Sequence, residues 1–330
     1  MKVLVTGGAG FIGSQLADAL IARGDSVAVV DNLSSGSRRN LNPKARLHVV
    51  DITDREAVEA VFAQEKPEVV SHHAAQTDVR RSLADVALDA RTNILGSIHV
   101  LDGCVKHGAK KIVFASTSAI YPETQALPIP ETHPLKPVSA YGVSKMTVEN
   151  YLALYNIAFG LRWTAFRYGN VYGPRQDPHG ECGVVAIFSG QLLAGATPTI
   201  FGDGTKTRDY IYVDDIVRGN LLALDGAGDG EVFNLGMGRE VSDYEVFQGV
   251  ATALGSPVTP IFGKKRPGEL DRVCLNISKA KQLLGWSPRV ALAEGMAMTV
   301  AYYKKGAVQS GSAGADKNAG AAPKQGTGQA

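Results

Sequence analysis

The sequence predicts a doubly wound α/β protein with a parallel central sheet and a smaller C-terminal lobe. In the first half of the chain, short runs rich in β-branched residues alternate with longer amphipathic runs. The short runs lack polar–apolar alternation, which is typical of parallel strands buried on both faces. After about residue 174 the rhythm changes, because a loop rich in glycine and proline precedes shorter, irregular elements.

The individual elements follow from these patterns. The predicted strands comprise residues 3–5, 27–30, 48–50, 68–71, 111–115 and 162–166. The predicted helices comprise residues 11–22, 55–64, 83–107 and 139–159. Residues 232–235 form a further predicted strand, which would return part of the C-terminal lobe to the sheet. In such sheets, ligands bind beyond the carboxyl ends of the strands.

Composition and charge limit the classes of function. The chain has 330 residues, 45% of them hydrophobic, and a net charge of +2, so we expect neither a nucleic-acid nor a membrane partner. Its 3 cysteines are far apart and show no metal-binding spacing, so we expect a reduced, cytoplasmic setting and no metal site. Residues 2–6 do not resemble a signal peptide, and no apolar stretch is long enough to span a bilayer.

A glycine-rich turn lies between the first predicted strand and the first predicted helix. Gly7, Gly10 and Gly13 occur at intervals of three residues, and Phe11 and Ile12 begin the helix. Glycine permits a left-handed backbone and a close approach, and the helix N-terminus offers N–H groups to an anion. The turn therefore predicts a binding site for the pyrophosphate of a dinucleotide.

An acidic residue indicates which dinucleotide is bound. Asp31 ends the second predicted strand, where a carboxylate binds the ribose hydroxyls of NAD and repels the 2′-phosphate of NADP. Arg38 and Arg39 favour NADP, but two arginines in a polar loop are typical of solvated surface charges. We therefore expect NAD. Further candidates around the adenosine, next to the second and third strands, are Asn32, Asp51 and Ile52.

A tyrosine and a lysine form a candidate catalytic pair. Tyr141 and Lys145 are four residues apart in a predicted helix, so they share one face. A phenol with a pKa of about 10 is a poor base at neutral pH, but an adjacent ammonium lowers that pKa. Tyr141 would then serve as general acid or base. A hydroxyl from residues 115–121, which follow the fifth strand, would hydrogen-bond the reacting oxygen.

Further motifs in order along the chain add a family resemblance. They are His73-Ala74-Ala75-Gln76, the segment 116–121, the segment 167–175, Arg208-Asp209-Tyr210 and Arg266-Pro267-Gly268-Glu269. Over about residues 1–305 the sequence resembles the extended short-chain dehydrogenase/reductase family of nucleotide-sugar enzymes, the NAD-dependent epimerases and dehydratases. Within that family it is most similar to the branch that epimerises UDP-glucose and UDP-galactose. The resemblance implies a Rossmann fold, bound NAD and inversion at C4 through a transient 4-keto sugar.

The resemblance assigns roles at the positions that match. Tyr141 matches the catalytic tyrosine, Lys145 the lysine that also binds the nicotinamide ribose, and Thr117 the residue that hydrogen-bonds the 4-oxygen of the sugar. Cofactor contacts are implied for Ala74, Ala75, Gln76 and Asn93. Contacts with the diphosphate of a UDP-sugar are implied for Asn170, Arg208 and Arg266. Guanidinium groups also suit bidentate phosphate recognition.

The sequence alone is compatible with more than one nucleotide-sugar substrate. Ser118 and Ala119 stand where related 4,6-dehydratases have the acids that eliminate water, which disfavours dehydration. UDP-glucuronate 4-epimerisation or decarboxylation stays possible. So does 4-epimerisation of a UDP-N-acetylhexosamine, because Val273 and Cys274 stand where some relatives have bulky aromatic residues. A regulatory NAD-binding protein without catalysis is less favoured, because the tyrosine–lysine pair is intact.

The chain divides into three predicted parts. Residues 1–174 are predicted to form the NAD-binding Rossmann domain, and residues 175–305 a UDP-sugar lobe with some return to the sheet. Residues 306–330 hold almost no large apolar side chains, so we expect a disordered tail. The predicted helices 83–107 and 139–159 resemble those that pair between subunits in the family, which implies a homodimer.

Overall fold

The longer strands form one parallel central sheet, and the shorter strands form small two-stranded sheets. The computed structural model describes residues 1–178, 183–266 and 270–315. In chain order the strands are β1 (Lys2–Thr6), β2 (Ser26–Asp31), β3 (Arg46–Val49), β4 (Val69–His72), β5 (Lys111–Thr117), β6 (Arg162–Tyr168), β7 (Asn170–Tyr172), β8 (Thr199–Phe201), β9 (Thr207–Arg208), β10 (Tyr210–Tyr212), β11 (Glu231–Leu235), β12 (Val241–Ser242) and β13 (Ile261–Gly263). The central sheet is parallel, in the order β11-β6-β5-β4-β1-β2-β3. The strand order therefore reverses between β1 and β4, where ligands bind in such sheets.

Helices cover both faces of this sheet. In chain order they are α1 (Phe11–Ala22), α2 (Arg55–Glu65), α3 (Val79–Ala84), α4 (Val86–Ala90), α5 (Gly96–His107), α6 (Ala140–Phe159), α7 (Val184–Leu193), α8 (Val213–Leu224), α9 (Asp243–Leu254), α10 (Ser278–Leu284) and α11 (Leu292–Ala315). Val3 and Val5 of β1 pack in the core on the side of α1 and α8, and Leu4 packs in the core formed with α2, α5 and α6. The predicted doubly wound architecture is confirmed.

The prediction of a single long helix over residues 83–107 is wrong, because the structure divides this segment into shorter helices. Asp85 leaves the helical conformation, with φ −140° and ψ 81°, and its carboxylate accepts the N–H of Leu88 at 2.9 Å. Asp85 thereby ends α3 and begins α4. A π-helical turn, Arg91–Leu95, then separates α4 from α5. Apolar periodicity continues through both interruptions, which is why the sequence pattern does not reveal them.

Most strands after β6 are short and lie outside the central sheet. β7 pairs with β10, β8 with β13, and β9 with β12, in three two-stranded sheets. β11 lies in the central sheet beside β6, and α8 packs against α1. The C-terminal part of the chain thus supplies β11, an edge strand of the central sheet. The two-stranded sheets formed by β7–β10, β12 and β13, with the segments that connect them, are called the small lobe.

The last described helix reaches into the predicted tail. α11 continues to Ala315 and so includes residues 306–315 of that segment. The buried side chains of Met296, Thr299 and Val300 anchor its earlier turns, from which the helix continues. Residues 316–330, the remainder of the predicted tail, lie outside the described residues. Within the described ranges, no helix has the length and apolar character needed to cross a bilayer.

Candidate active site

The glycine turn between β1 and α1 has a shape that side chains would disrupt. Gly7 has φ +67°, and a Cβ there would lie 2.6 Å from the backbone nitrogen of Ala74, which follows β4. A Cβ at Gly13 would overlap the carbonyl oxygen of Gly7. Gly10 is the N-cap of α1 and has no side chain to cap the helix. The backbone therefore forms a cradle at the positive end of α1, which suits the pyrophosphate of NAD.

Asp31 contacts this turn directly. Its carboxylate is buried, and Oδ2 accepts the N–H of Ala9 at 2.9 Å. Oδ1 accepts the N–H of Leu33 at 2.8 Å. The residue predicted to select NAD thus also fixes the glycine turn, a second role that its position in the sequence does not reveal.

The candidate adenosine residues at the ends of β2 and β3 are brought together. The side-chain amide of Asn32 donates to Oδ2 of Asp51 at 2.8 Å. The N–H and hydroxyl of Thr53 both donate to Oδ1 of Asp51, at 2.8 and 2.7 Å. Partial burial raises the pKa of Asp51, but these hydrogen bonds outweigh burial and leave the pKa below its ordinary value. Ile52 is buried next to this pair and lies against Gly96.

Asn93 connects the predicted nicotinamide loop, residues 74–76, to helix α6. It is buried within the π-helical turn, and its Oδ1 accepts the N–H of Gln76 at 2.8 Å. Its Nδ2 donates to the carbonyl of Gln76 at 2.9 Å and to the hydroxyl of Ser144 at 3.1 Å. π-Helical turns occur often at functional sites, and here the turn places one amide between two parts of the site.

The candidate catalytic pair lies at the N-terminal end of α6. Lys145 is 3% exposed, and its Nζ donates to the carbonyl of Ala115 at 2.8 Å. The same Nζ lies 5.9 Å from the ring centroid of Tyr141 and 4.7 Å from that of Phe114. Burial lowers the pKa of Lys145 to about 7, against the opposing effect of the Asp89 carboxylate. Tyr141 and Lys145 therefore share one face of α6 next to the end of β5, as the spacing predicts.

Close packing brings Thr117 to the same end of α6. A Cβ at Gly142 would lie 2.5 Å from the carbonyl oxygen of Ala119, so the glycine lets α6 approach the turn after β5. Thr117 ends β5, and its hydroxyl oxygen accepts the N–H of Ala119 at 3.1 Å. A hydroxyl that accepts one hydrogen bond can still donate its proton to a substrate oxygen.

A buried polar network beneath this end of the sheet is a feature that the sequence analysis missed. The hydroxyl of Ser116 donates to Glu149 at 2.5 Å, and Glu149 pairs with Arg167 at 2.6 Å. Arg167 in turn donates to the hydroxyl of Tyr121 at 2.9 Å. Spacing alone indicates that Glu149 shares a face of α6 with Lys145, four residues earlier, but no sequence pattern identifies Arg167 as its partner.

The candidate diphosphate residues lie in the small lobe. Asn170 begins β7, and its N–H donates to the carbonyl of Asp209 at 2.7 Å, which places it beside Arg208 in β9. The guanidinium of Arg266 lies 3.5 Å from the ring centroid of Phe201, at the end of β8. Stacking on an aromatic ring orients a guanidinium for phosphate. Residues 267–269, the rest of that predicted motif, lie outside the described residues.

Fold and site together define a dinucleotide-binding enzyme of the short-chain dehydrogenase type. Residues 3–236 match the model of the NAD dependent epimerase/dehydratase family, and the chain belongs to this family. The resemblance seen in the sequence is confirmed, and NAD is the cofactor of the family.

The following relatives are named as 4-epimerases of UDP-sugars. A putative UDP-glucose 4-epimerase of Methanocaldococcus jannaschii is 44% identical, over 92% of this chain and 98% of the relative. The Thermotoga maritima UDP-glucose 4-epimerase, solved with UDP-glucose, is 48% identical with a TM-score of 0.91, over 93% of this chain and 99% of that chain. A UDP-N-acetylglucosamine 4-epimerase of Methanobrevibacter ruminantium is 32% identical with a TM-score of 0.88, over 92% of this chain and 98% of that chain.

Proposed function

We propose that this chain is an NAD-dependent epimerase that interconverts UDP-glucose and UDP-galactose at C4. The observation that carries the proposal is the buried Lys145 beside Tyr141. Both lie at the carboxyl ends of the central strands, where the glycine turn also lies, and this region is called the sheet edge. The names of the relatives at 44% and 48% identity support the same substrate pair.

The proposed chemistry assigns one task each to Thr117, at the end of β5, and to Tyr141 and Lys145, in the first turns of α6. Bound NAD supplies the acceptor and donor of the C4 hydride. Tyr141 takes the proton of the sugar 4-hydroxyl and later returns it. The ammonium of Lys145 stabilises the phenolate of Tyr141, since a nearby positive charge favours the ionised phenol. Thr117 donates its hydroxyl proton to the 4-oxygen and holds it within reach of Tyr141.

The binding residues of the proposal lie at the carboxyl ends of the strands and in the small lobe. Those that would contact NAD are Gly7, Gly10, Phe11, Ile12, Gly13, Asp31, Asn32, Asp51, Ile52, Ala74, Ala75, Gln76, Asn93, Tyr141 and Lys145. Those that would contact the UDP-sugar are Thr117, Tyr141, Asn170, Arg208 and Arg266. The cradle at the glycine turn and the contacts of Asp31 support the first set.

A second substrate has structural support. Val273 and Cys274 are both buried in the segment that pairs with the small lobe. Small side chains there leave more space than aromatic ones would, which favours acceptance of an N-acetyl group on the hexose. The UDP-N-acetylglucosamine 4-epimerase among the structural relatives is consistent with this extension.

One experiment tests the function and separates its alternatives. The purified protein is incubated, without added NAD, with UDP-glucose, UDP-galactose, UDP-N-acetylglucosamine and UDP-glucuronate, and the products are separated by chromatography. We expect UDP-glucose and UDP-galactose to interconvert. Loss of carbon dioxide from UDP-glucuronate would identify a decarboxylase instead. Tight NAD binding with no turnover of any sugar would identify a non-catalytic protein.

We also propose that the protein acts as a homodimer in the cytoplasm. α6 presents Leu154 and Ile157, which are 51% and 83% exposed, on its outer face, and Leu83 and Val86 are exposed on α3 and α4. A second copy would cover such an apolar surface. Cys104 and Cys274 are free thiols, which supports a reducing compartment. Sedimentation should give a dimer that Leu154→Asp disrupts, whereas Leu283→Asp, at an exposed leucine of α10, leaves it intact.

A further inference from the structure

Asp209 lies where separate segments of the small lobe meet. It is 0% exposed, and its carboxylate accepts hydrogen bonds from the backbone of two distant segments. Oδ1 accepts the N–H of Met237 at 2.6 Å, and Oδ2 accepts the N–H of Gly238 at 3.1 Å. Oδ2 also accepts the N–H of Leu275 at 3.0 Å. The Asp209 carboxylate thus joins the turn before β12, at Met237 and Gly238, to the distant backbone at Leu275.

The backbone around Asp209 is packed just as closely. Its carbonyl oxygen accepts the N–H of Asn170 at 2.7 Å. A Cβ at Gly169 would lie 2.5 Å from that carbonyl oxygen, and a Cβ at Gly236 would lie 2.6 Å from Oδ2. Both neighbours must therefore be glycine for the aspartate to keep its place.

We propose that Asp209 is a positioning residue for the diphosphate of the nucleotide sugar. It immediately follows Arg208, and its carboxylate ties β9 to the turn that leads into the partner strand β12. Its carbonyl holds Asn170 next to the same strand end. Because Asp209 is fully buried, it acts through these two neighbours. The proposal rests on the proposed function, which assigns both of them to the diphosphate.

A second buried aspartate provides a matched control. Asp215 of α8 is also buried, and it accepts the backbone N–H groups of Arg289 and Val290 at 2.9 and 3.1 Å. It pairs with Arg218 at 2.6 Å. Asp215 therefore joins distant segments in the same way, but it does not adjoin a candidate diphosphate residue. Comparing Asn substitutions at the two sites separates positioning from general stability.

The test measures UDP affinity by calorimetry and steady-state rates on UDP-glucose with NAD-loaded protein. Asp209→Asn places an NH₂ group against backbone N–H donors, so we expect UDP affinity to fall and KM to rise by roughly tenfold or more. NAD affinity and kcat should stay near the wild-type values. Gly236→Ala, which keeps the charge but displaces the carboxylate, should raise KM in the same direction. Asp215→Asn should lower stability and leave KM unchanged.

Several outcomes would overturn the proposal. Wild-type UDP affinity in folded Asp209→Asn would do so, as would an equal rise in KM for Asp215→Asn. If Asp209→Asn does not fold, Gly236→Ala decides, and a normal KM or misfolding in that variant also counts against positioning. Failure of the proposed function gives a different result, because the wild-type protein would then neither bind UDP nor epimerise UDP-glucose.

Discussion

The central sheet edge and the small lobe hold their functional residues by different means. At the sheet edge, Gly7 follows β1, Thr117 ends β5, and Tyr141 lies in the first turn of α6. In the lobe, Arg208 belongs to a two-residue strand. We propose that its position depends on Asp209, which accepts hydrogen bonds from distant backbone N–H groups. The functional residues at the sheet edge are therefore placed by the ends of longer elements, whereas Arg208 in the lobe lies on a two-residue strand beside contacts between remote segments.

This difference assigns the two halves of the proposed reaction to different regions. The acid–base group and the cofactor cradle lie at the ends of the buried central strands, which suits a step that needs fixed geometry. The groups for the diphosphate lie on short strands joined by hydrogen bonds. Variants at the sheet edge should therefore change kcat, and variants in the lobe should change KM.

The largest expected effect is the loss of the Tyr141 hydroxyl. Tyr141→Phe removes the proposed acid–base group and keeps the ring beside Lys145. We expect kcat to fall by roughly 100- to 10,000-fold, the usual contribution of a positioned general acid or base. UDP affinity and NAD affinity should be unchanged, because neither depends mainly on the hydroxyl. Stopped assays with UDP-galactose and calorimetry with UDP measure the two quantities.

A tyrosine elsewhere on α6 provides the control for that variant. The hydroxyl of Tyr155 donates to Asp102 at 2.6 Å, on the side of the helix packed against α5. Tyr155→Phe removes an equivalent atom and should leave kcat near the wild-type value. Near-normal kcat in Tyr141→Phe would remove the proposed base and, with it, the assignment of the chemistry to the sheet edge.

The same difference explains how much the sequence could predict. The glycine turn, the strands and the tyrosine–lysine pair follow from patterns within a few residues, and the structure places them together. The partners Glu149 and Arg167 come from different elements, and Asp209 and Leu275 are 66 positions apart. Periodicity cannot reveal such contacts. The break at Asp85 was missed for a related reason, since a single capping carboxylate outweighs continuous apolar spacing.

A smaller expected effect is the contribution of the Lys145 charge to the pH dependence of the free energy of unfolding. It tests whether the sheet edge is buried. Burial lowers its pKa to about 7, whereas an exposed lysine has a pKa of about 10.4. Between these values the folded protein binds fewer protons than the unfolded chain. The contribution of Lys145 to the free energy of unfolding therefore rises with pH, by up to about 1.4 kcal/mol per pH unit. Its neighbours His72 and His73 have strongly lowered pKa values through burial and stay neutral in this range.

Urea unfolding of nucleotide-free protein at pH 7, 8 and 9 measures this contribution. Lys145→Met cannot titrate, so its free energy of unfolding relative to wild type should fall steadily as the pH rises. Lys110→Met, at an exposed lysine that precedes β5, is the control for the loss of a surface lysine. A difference between Lys145→Met and wild type that does not change with pH would mean that the Lys145 ammonium keeps an ordinary pKa. The sheet edge would then be more hydrated than its packing indicates, and Tyr141 would lie next to a charge that solvent screens.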